Sequence, residues 1–171
     1  MTWTDKGQYR PETLDDIIGQ EHIKLKIKNL LKCDPKDLPH FLFKGGPGVG
    51  KTTMAEVIIN MLDCDHKELN ASDERGIAVV QGTIKNFART KPITGQIRVL
   101  LLDESDSLTP EAQAALRRIM EKYKETCKFI LTCNYPQKLI DPLNLDVKVE
   151  RLNLIQYHMM KCLRVLPRYL T

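Results

Sequence analysis

The chain has 171 residues, 42% hydrophobic and 28% charged, the balance of one ordinary globular domain with a sizeable core. No apolar run approaches the roughly 18 residues that span a bilayer. The opening MTWTDKGQYRPETLDD also lacks the apolar stretch of a secretory signal, so a membrane partner is excluded and a cytoplasmic protein (nuclear if eukaryotic) is expected. The formal charge of +4 does not describe a globally basic nucleic-acid binder: residues from 147 onward carry five cations against one acid and account for all of it, so any nucleic-acid surface must be a local patch.

In chain order, QEHIKLKIKNLLK (20–32) sets Ile23, Ile27, Leu30 and Leu31 on one helical stripe. HFLFK (40–44) is a short apolar strand that runs into GGPGVG, and KTTMAEVIINML (51–62) continues as a helix. HKELN (66–70) is a candidate strand, and 74–89 returns to helical spacing through Ile77, Val80, Ile84, Phe87 and Ala88. IRVLLLD (97–103) is a continuous apolar strand of the kind buried on both faces of a parallel sheet. Thr109, Pro110 and Glu111 supply a cap, a proline at the first position and an acid in the first turn of a helix whose apolar face is Ala112, Ala115, Leu116, Ile119, Met120 and Tyr123. KFILTC (128–133) is a further strong strand, VKV (147–149) a weak last one, and 152–166 has apolar residues at helical spacing. Strands alternating with helices in this way predict a three-layer α/β/α domain around a five-stranded parallel sheet. The five cysteines, Cys33, Cys64, Cys127, Cys133 and Cys162, form no C-x-x-C pair and read as reduced thiols rather than a zinc site.

Gly45 to Thr52 match G-x-x-x-x-G-K-[ST] between a predicted strand and a predicted helix, the context the motif requires. Glycines let the backbone wrap an anion so that successive N–H groups point inward, and the following helix directs its positive end at the same place. The expected phosphate contacts are Gly46, Pro47, Gly48, Val49, Gly50, Lys51, Thr52 and Thr53, which makes the chain a P-loop NTPase. Lys51 supplies a charge for the β and γ phosphates of ATP, and Thr52 a hydroxyl for Mg²⁺. Hydrolysis needs more than a phosphate cradle. Asp103 ends a buried strand where ligands sit in open α/β sheets and would hold the Mg²⁺ shell, directly or through water. Glu104 can polarise a water toward the γ phosphate. Asn134, at the end of the next strong strand, would bond either the γ phosphate or that water. The opposing possibilities are a plain glycine turn, two acids that only cap a strand, and an Asn that only terminates one.

From about Tyr9 to Pro142 the chain resembles the N-terminal part of the replication factor C small subunits, sliding-clamp loaders of the AAA+ ATPase class. The resemblance rests on YRPETLDDIIGQEHI (9–23), the P-loop, LNASDERGI (69–77), FARTKPI (87–93), LLLDESDSLTPEAQAALRRIMEKY (100–123) and FILTCNY (129–135). It implies an AAA+ nucleotide-binding domain over 1–151, with 152–171 as a helical tail that could begin a lid domain. It places Tyr9, Arg10 and Pro11, with the backbone of Ile18 and Gly19, beside the adenine. It also implies other clamp-loader subunits, a sliding clamp and primer–template DNA as partners. Arg75, Lys85, Arg89 and Lys91 are the corresponding candidates for DNA phosphate contacts, against the plainer reading of a solvated helix face. Arg117 and Arg118 face a neighbouring subunit, DNA or only solvent.

The chain departs from the family pattern in three places. Ser105 stands for the Ala of the D-E-A-D box, and Gln81 for a usual Arg. Leu145-Asp146-Val147 stands where the family has the Ser-Arg-Cys whose Arg reaches a neighbour's nucleotide, an effect that can be worth ~10³ or more in rate. The sequence is also expected to stop short of a complete lid and collar. Two readings follow: an ATP-hydrolysing clamp-loader-type subunit, weak alone, or a non-catalytic nucleotide- or DNA-binding paralogue or fragment. A small nucleoside kinase would need acceptor-binding residues and a basic lid, which the sequence lacks.

Overall fold

Leu100 and Leu102 of one strand alternate with Val99 and Leu101, and all four are buried. A strand apolar on both sides has to be covered on both sides, and this sets the architecture. The computed structural model describes residues 11–62, 64–73, 75–93, 97–140 and 149–154. Five parallel strands, β1 (His40–Lys44), β2 (Asp65–Asn70), β3 (Arg98–Asp103), β4 (Cys127–Cys133) and β5 (Val149–Asn153), form one sheet in the order β2-β3-β4-β1-β5. The helices are α1 (Glu21–Leu30), α2 (Lys51–Leu62), α3 (Ile77–Val79), α4 (Lys85–Arg89) and α5 (Pro110–Lys122), with a π-helical turn, Val80–Ile84, joining α3 to α4.

Two apolar clusters fill the space between the layers. On one face Phe41, Phe43, Val99, Leu101 and Ile130 pack with Ile23 and Ile27 of α1 and Met54, Val57 and Ile58 of α2. On the other, Leu42, Leu100, Leu102, Phe129 and Leu131 pack with Val80, Ile84 and Ala88 and with Ala112, Leu116 and Met120 of α5. Parity follows from this: odd residues of β3 and even residues of β4 face α2, so Asp103 and Thr132 end up on the side of the P-loop helix.

Local chemistry closes the elements. Thr109 Oγ1 accepts the Ala112 N–H at 3.3 Å and Pro110 opens α5, as the sequence predicts. Gln113, buried on α5, donates Nε2 to the carbonyls of Leu108 (3.0 Å) and Lys138 (3.1 Å) and accepts the Ile140 N–H at 2.8 Å. Cys127 and Cys133 are buried core thiols, pushed up to about 12 and about 11 by burial, whereas Cys33 is exposed.

Two expectations need correction. Of the strand expected at 147–149, residues 147 and 148 lie outside the described residues; the strand runs Val149–Asn153, and so Leu152 and Asn153, expected to begin a helix over 152–166, extend the sheet beside β1 instead. Their apolar periodicity is misleading because Leu152 and Leu154 are buried in the α2-side cluster, one strand repeat apart. The remainder of that expected helix, and Cys162, lie outside the described residues. The helix expected from 74 begins at Ile77, with Gly76 in extended conformation before it.

Candidate active site

The C-terminal ends of β1, β3 and β4 and the start of α2 enclose a cleft of about 340 Å³. Pro47, Gly48, Gly50, Lys51, Thr52 and Thr53 line one wall, Asp103 and Glu104 another, and Thr132 and Asn134 the third. Gly48 and Gly50 have φ of 76° and 88°, a region where a Cβ costs roughly 1–2 kcal/mol. Val49 turns its side chain into the α2-side core and so anchors the loop between them. Lys51 Nζ is held over the loop by the carbonyls of Gly45 (3.0 Å) and Gly46 (2.7 Å). Burial draws the Lys51 ammonium below its usual pKa, and Cys133, Asp103, Asp106 and Glu104 oppose that fall.

The acids are tied into one unit. Thr52 Oγ1 donates to both carboxylate oxygens of Asp103 at 3.1 Å. Thr132 Oγ1 donates to Asp103 Oδ1 and accepts the Glu104 N–H at 3.0 Å. Glu104 itself is left-handed, at φ 53° and ψ 41°, a strained conformation for a residue with a side chain and one that clusters at functional sites. Ser105 Oγ donates to the Thr132 carbonyl at 2.7 Å, so the Ser that replaces an Ala in the acidic box has a definite partner. The buried Asp106 accepts the N–H groups of Asn134 and Tyr135, each at 3.2 Å.

Sequence reasoning therefore placed Lys51, Thr52, Thr53, Asp103, Glu104 and Asn134 at one site, and the structure brings them together. It missed Thr132 and Asp106. The available signal for Thr132 was its position two residues before Asn134, which puts both on the same face of a strand. Pro11, Ile18 and Gly19 do not line the cleft; Gly19 (φ 78°) turns the chain into α1, and Ile18 is half exposed beside it. Tyr9 and Arg10 lie outside the described residues, as does the Leu145-Asp146-Val147 substitution.

The basic patch is only partly assembled. Lys85 lines a groove of about 500 Å³ with Gln81, Arg118 and Lys122. Arg75, Arg89 and Lys91 are exposed but do not line that groove, and Arg75 Nε donates to the Ser72 carbonyl at 3.1 Å. Arg117 pairs with Glu121 at 3.0 Å. Lys122 went unnoticed because only packing of α5 against the π-helical turn sets it beside Lys85.

The donor set suits a nucleoside triphosphate with a hard cation. It offers backbone N–H groups in a concave loop, one ammonium, and a hydroxyl and a carboxylate side by side. Among the described residues no group of three or more His, Cys, Asp and Glu could hold a metal alone. Among the described residues no helix is long and apolar enough to cross a membrane.

Comparison with known proteins agrees with this geometry. The pattern of the ATPase family associated with various cellular activities (AAA) matches residues 41–157. The replication factor C small subunit of Methanococcus vannielii is 50% identical over 147 residues, covering 82% of this chain and 45% of that protein. The replication factor C small subunit of Methanoculleus marisnigri is 49% identical over the same length. The chain thus spans less than half the length of these curated relatives. Among solved structures, the Thermotoga maritima RuvB Holliday junction branch migration motor superposes with a TM-score of 0.76 at 23% identity, over 94% of this chain and 53% of that one, which supports the fold. With the P-loop, the paired acids and the strand order all in place, the chain belongs to the AAA family of ATPases.

Proposed function

We propose that the chain is the nucleotide-binding and hydrolysing part of a clamp-loader-type subunit acting in DNA replication, with ATP and Mg²⁺ as its cofactors. The observation that carries this reading is the Thr52–Asp103 contact, which sets a hydroxyl and a carboxylate from two separate elements side by side at the mouth of the P-loop. Thr52 and Asp103 would hold the Mg²⁺. When bound, the cation would neutralise charge that develops on the transferred phosphoryl group. Lys51 binds the β and γ phosphates, and the N–H groups of the loop and of the first turn of α2 orient them. Glu104, with its backbone fixed by Thr132, orients and deprotonates the attacking water. Asn134 holds that water or the γ phosphate in line.

The similarity to replication factor C small subunits supports a multi-subunit clamp loader, a sliding clamp and primer–template DNA as the working context, in the cytoplasm or, in a eukaryote, the nucleus. The groove lined by Lys85, Arg118 and Lys122 is the surface that suits template phosphates; Gln81 within it weakens that attraction by one charge. Residues 155–171, beyond the last strand, would continue toward a lid. The alternative, a non-catalytic nucleotide- or DNA-binding module, is favoured by Asp146 where the family carries its Arg.

Calorimetry with ATP and Mg²⁺, paired with single-turnover hydrolysis, tests the proposal. Lys51→Ala should abolish uptake. Glu104→Gln should keep affinity within about threefold and lose at least about 10²-fold in rate, the scale of a missing general base. Full turnover by the Glu104→Gln protein would end the catalytic reading, and binding without turnover in the parent chain, with or without partner subunits, would favour the non-catalytic one.

A further inference from the structure

The turn that carries Asn134 is not held by its own strand alone. β4 ends at Cys133, and the chain then passes through Asn134 and Tyr135 into a short 3-10 turn, Pro136–Lys138. Besides the Gly45 N–H on the Cys133 carbonyl at 3.3 Å, the polar ties along this stretch come from the segment that follows β3. Ser105 grips the carbonyl of Thr132 (2.7 Å), Asp106 takes the N–H groups of Asn134 and Tyr135 (3.2 Å each), and Gln113 bonds Lys138 and Ile140 (3.1 and 2.8 Å). Asp106 is only 8% exposed and, among the described residues, has no ion-pair partner. A buried carboxylate whose hydrogen bonds come from two consecutive amides fixes the backbone on either side of the first of them. The side chain so fixed is that of Asn134, which lines the same cleft as Glu104.

We propose that Asp106 is a positioning residue for nucleotide hydrolysis, clamping the Asn134–Tyr135 backbone so that the Asn134 amide and the Glu104 carboxylate keep one fixed separation. This rests on the hydrolytic reading above and adds to it a residue outside the cleft lining. Asp106 does not line the cleft. It acts by linking the end of β4 to the residue two places after Glu104, so the two strand tips shift together or not at all. A misplacement of about 1 Å in such a site can cost on the order of 10²-fold in rate, whereas the phosphates are held by the loop and Lys51, on which Asp106 bears only through its charge near the Lys51 ammonium.

The test compares Asp106→Asn, Asn134→Ala and the double variant. Asparagine keeps one acceptor oxygen and so releases one of the two amides. The expected result for Asp106→Asn is an ATP affinity within about threefold of the parent and a single-turnover rate lower by about tenfold or more. Hydrogen exchange at the Asn134 and Tyr135 amides should quicken while the amides of β4 stay protected. In the double variant the rate should fall little below that of Asn134→Ala, because the clamp acts through that side chain. Multiplying effects, an unchanged rate or unchanged exchange at those amides would each overturn the proposal. If Asp106→Asn does not fold, Asp106→Ser, whose shorter side chain releases both amides, is read in the same way with an equal or larger loss of rate. A parent chain that hydrolyses nothing overturns the hydrolytic reading and this inference together, whereas an active parent with an indifferent Asp106 overturns this inference alone.

Discussion

Gly45 offers the sharpest test of how the loop is seated. A Cβ built on it would lie 2.6 Å from the Leu154 carbonyl oxygen and 2.9 Å from Val49 Cγ2. The first neighbour is backbone, and it cannot swing aside, because the Leu154 N–H is bonded to the Lys44 carbonyl at 2.7 Å immediately before the glycine. Accommodating a methyl group therefore forces apart the loop and the end of β5, at the cost of an overpacked core position, about 2 kcal/mol. For a chain of this size that lowers the melting temperature by roughly 4–8 °C. The neighbouring glycines supply the controls. Gly46 has nothing within 4 Å of its hypothetical Cβ and no left-handed φ, so Gly46→Ala should stay within about 0.5 kcal/mol of the parent. Gly48 and Gly50 have equal room but φ of 76° and 88°, so alanine there should cost about 1–2 kcal/mol through strain alone. Urea denaturation followed by circular dichroism ranks the four variants. ATP affinity should fall for Gly45→Ala as well, since Lys51 is held partly by the Gly45 carbonyl. If Gly45→Ala unfolds at the same midpoint as Gly46→Ala, the contact between the loop and the end of β5 does not constrain the P-loop, and the argument fails.

Thr132→Val preserves shape but removes the hydroxyl between Asp103 and the Glu104 N–H; a loss of about 1–3 kcal/mol is expected, together with slower hydrolysis. Thr132→Ser should restore both, and a valine variant with unchanged urea midpoint and rate would contradict the role given to that hydroxyl. His40 is buried and accepts the Phe129 N–H on Nδ1 at 3.1 Å; burial, with the Lys128 charge adding to it, lowers its pKa from 6.5 to about 4. Between those values the unfolded chain holds a proton that the folded chain does not, so stability rises with pH across the window. It is lost as pH falls, by at most about 3 kcal/mol. Urea midpoints from acid to neutral pH should show this slope in the parent and a flatter one in His40→Gln; equal slopes would assign the acid sensitivity elsewhere.

The readable part of the site was the part encoded in adjacent residues. Gly45 to Thr52 carry their own chemistry in order, and the apolar run ending in Asp103 and Glu104 announces a buried strand whose tip is polar. The unread part depends on which strands lie side by side. Thr132 matters because β4 pairs with β3 in a register that sets Leu131 against Leu102, and parallel register leaves no local mark in either strand. The tail was misread for a related reason. Leu152 and Leu154 fit a helix or a strand equally well in so short a run, and only the open edge of β1 decided for the strand.

By itself, the sequence determined the alternation of helix and strand, the two-sided burial of β3, and the anion-binding loop, because each follows from side-chain period and backbone freedom within a dozen residues. Only the tertiary structure decided the insertion of β4 between β3 and β1, the hydroxyl and carboxylate ties that lock Glu104 and Asn134 into one rim, and the meeting of Lys85 with Arg118 and Lys122. These contacts join groups tens of residues apart in the chain, and their geometry exists only once the apolar faces of the sheet have been buried.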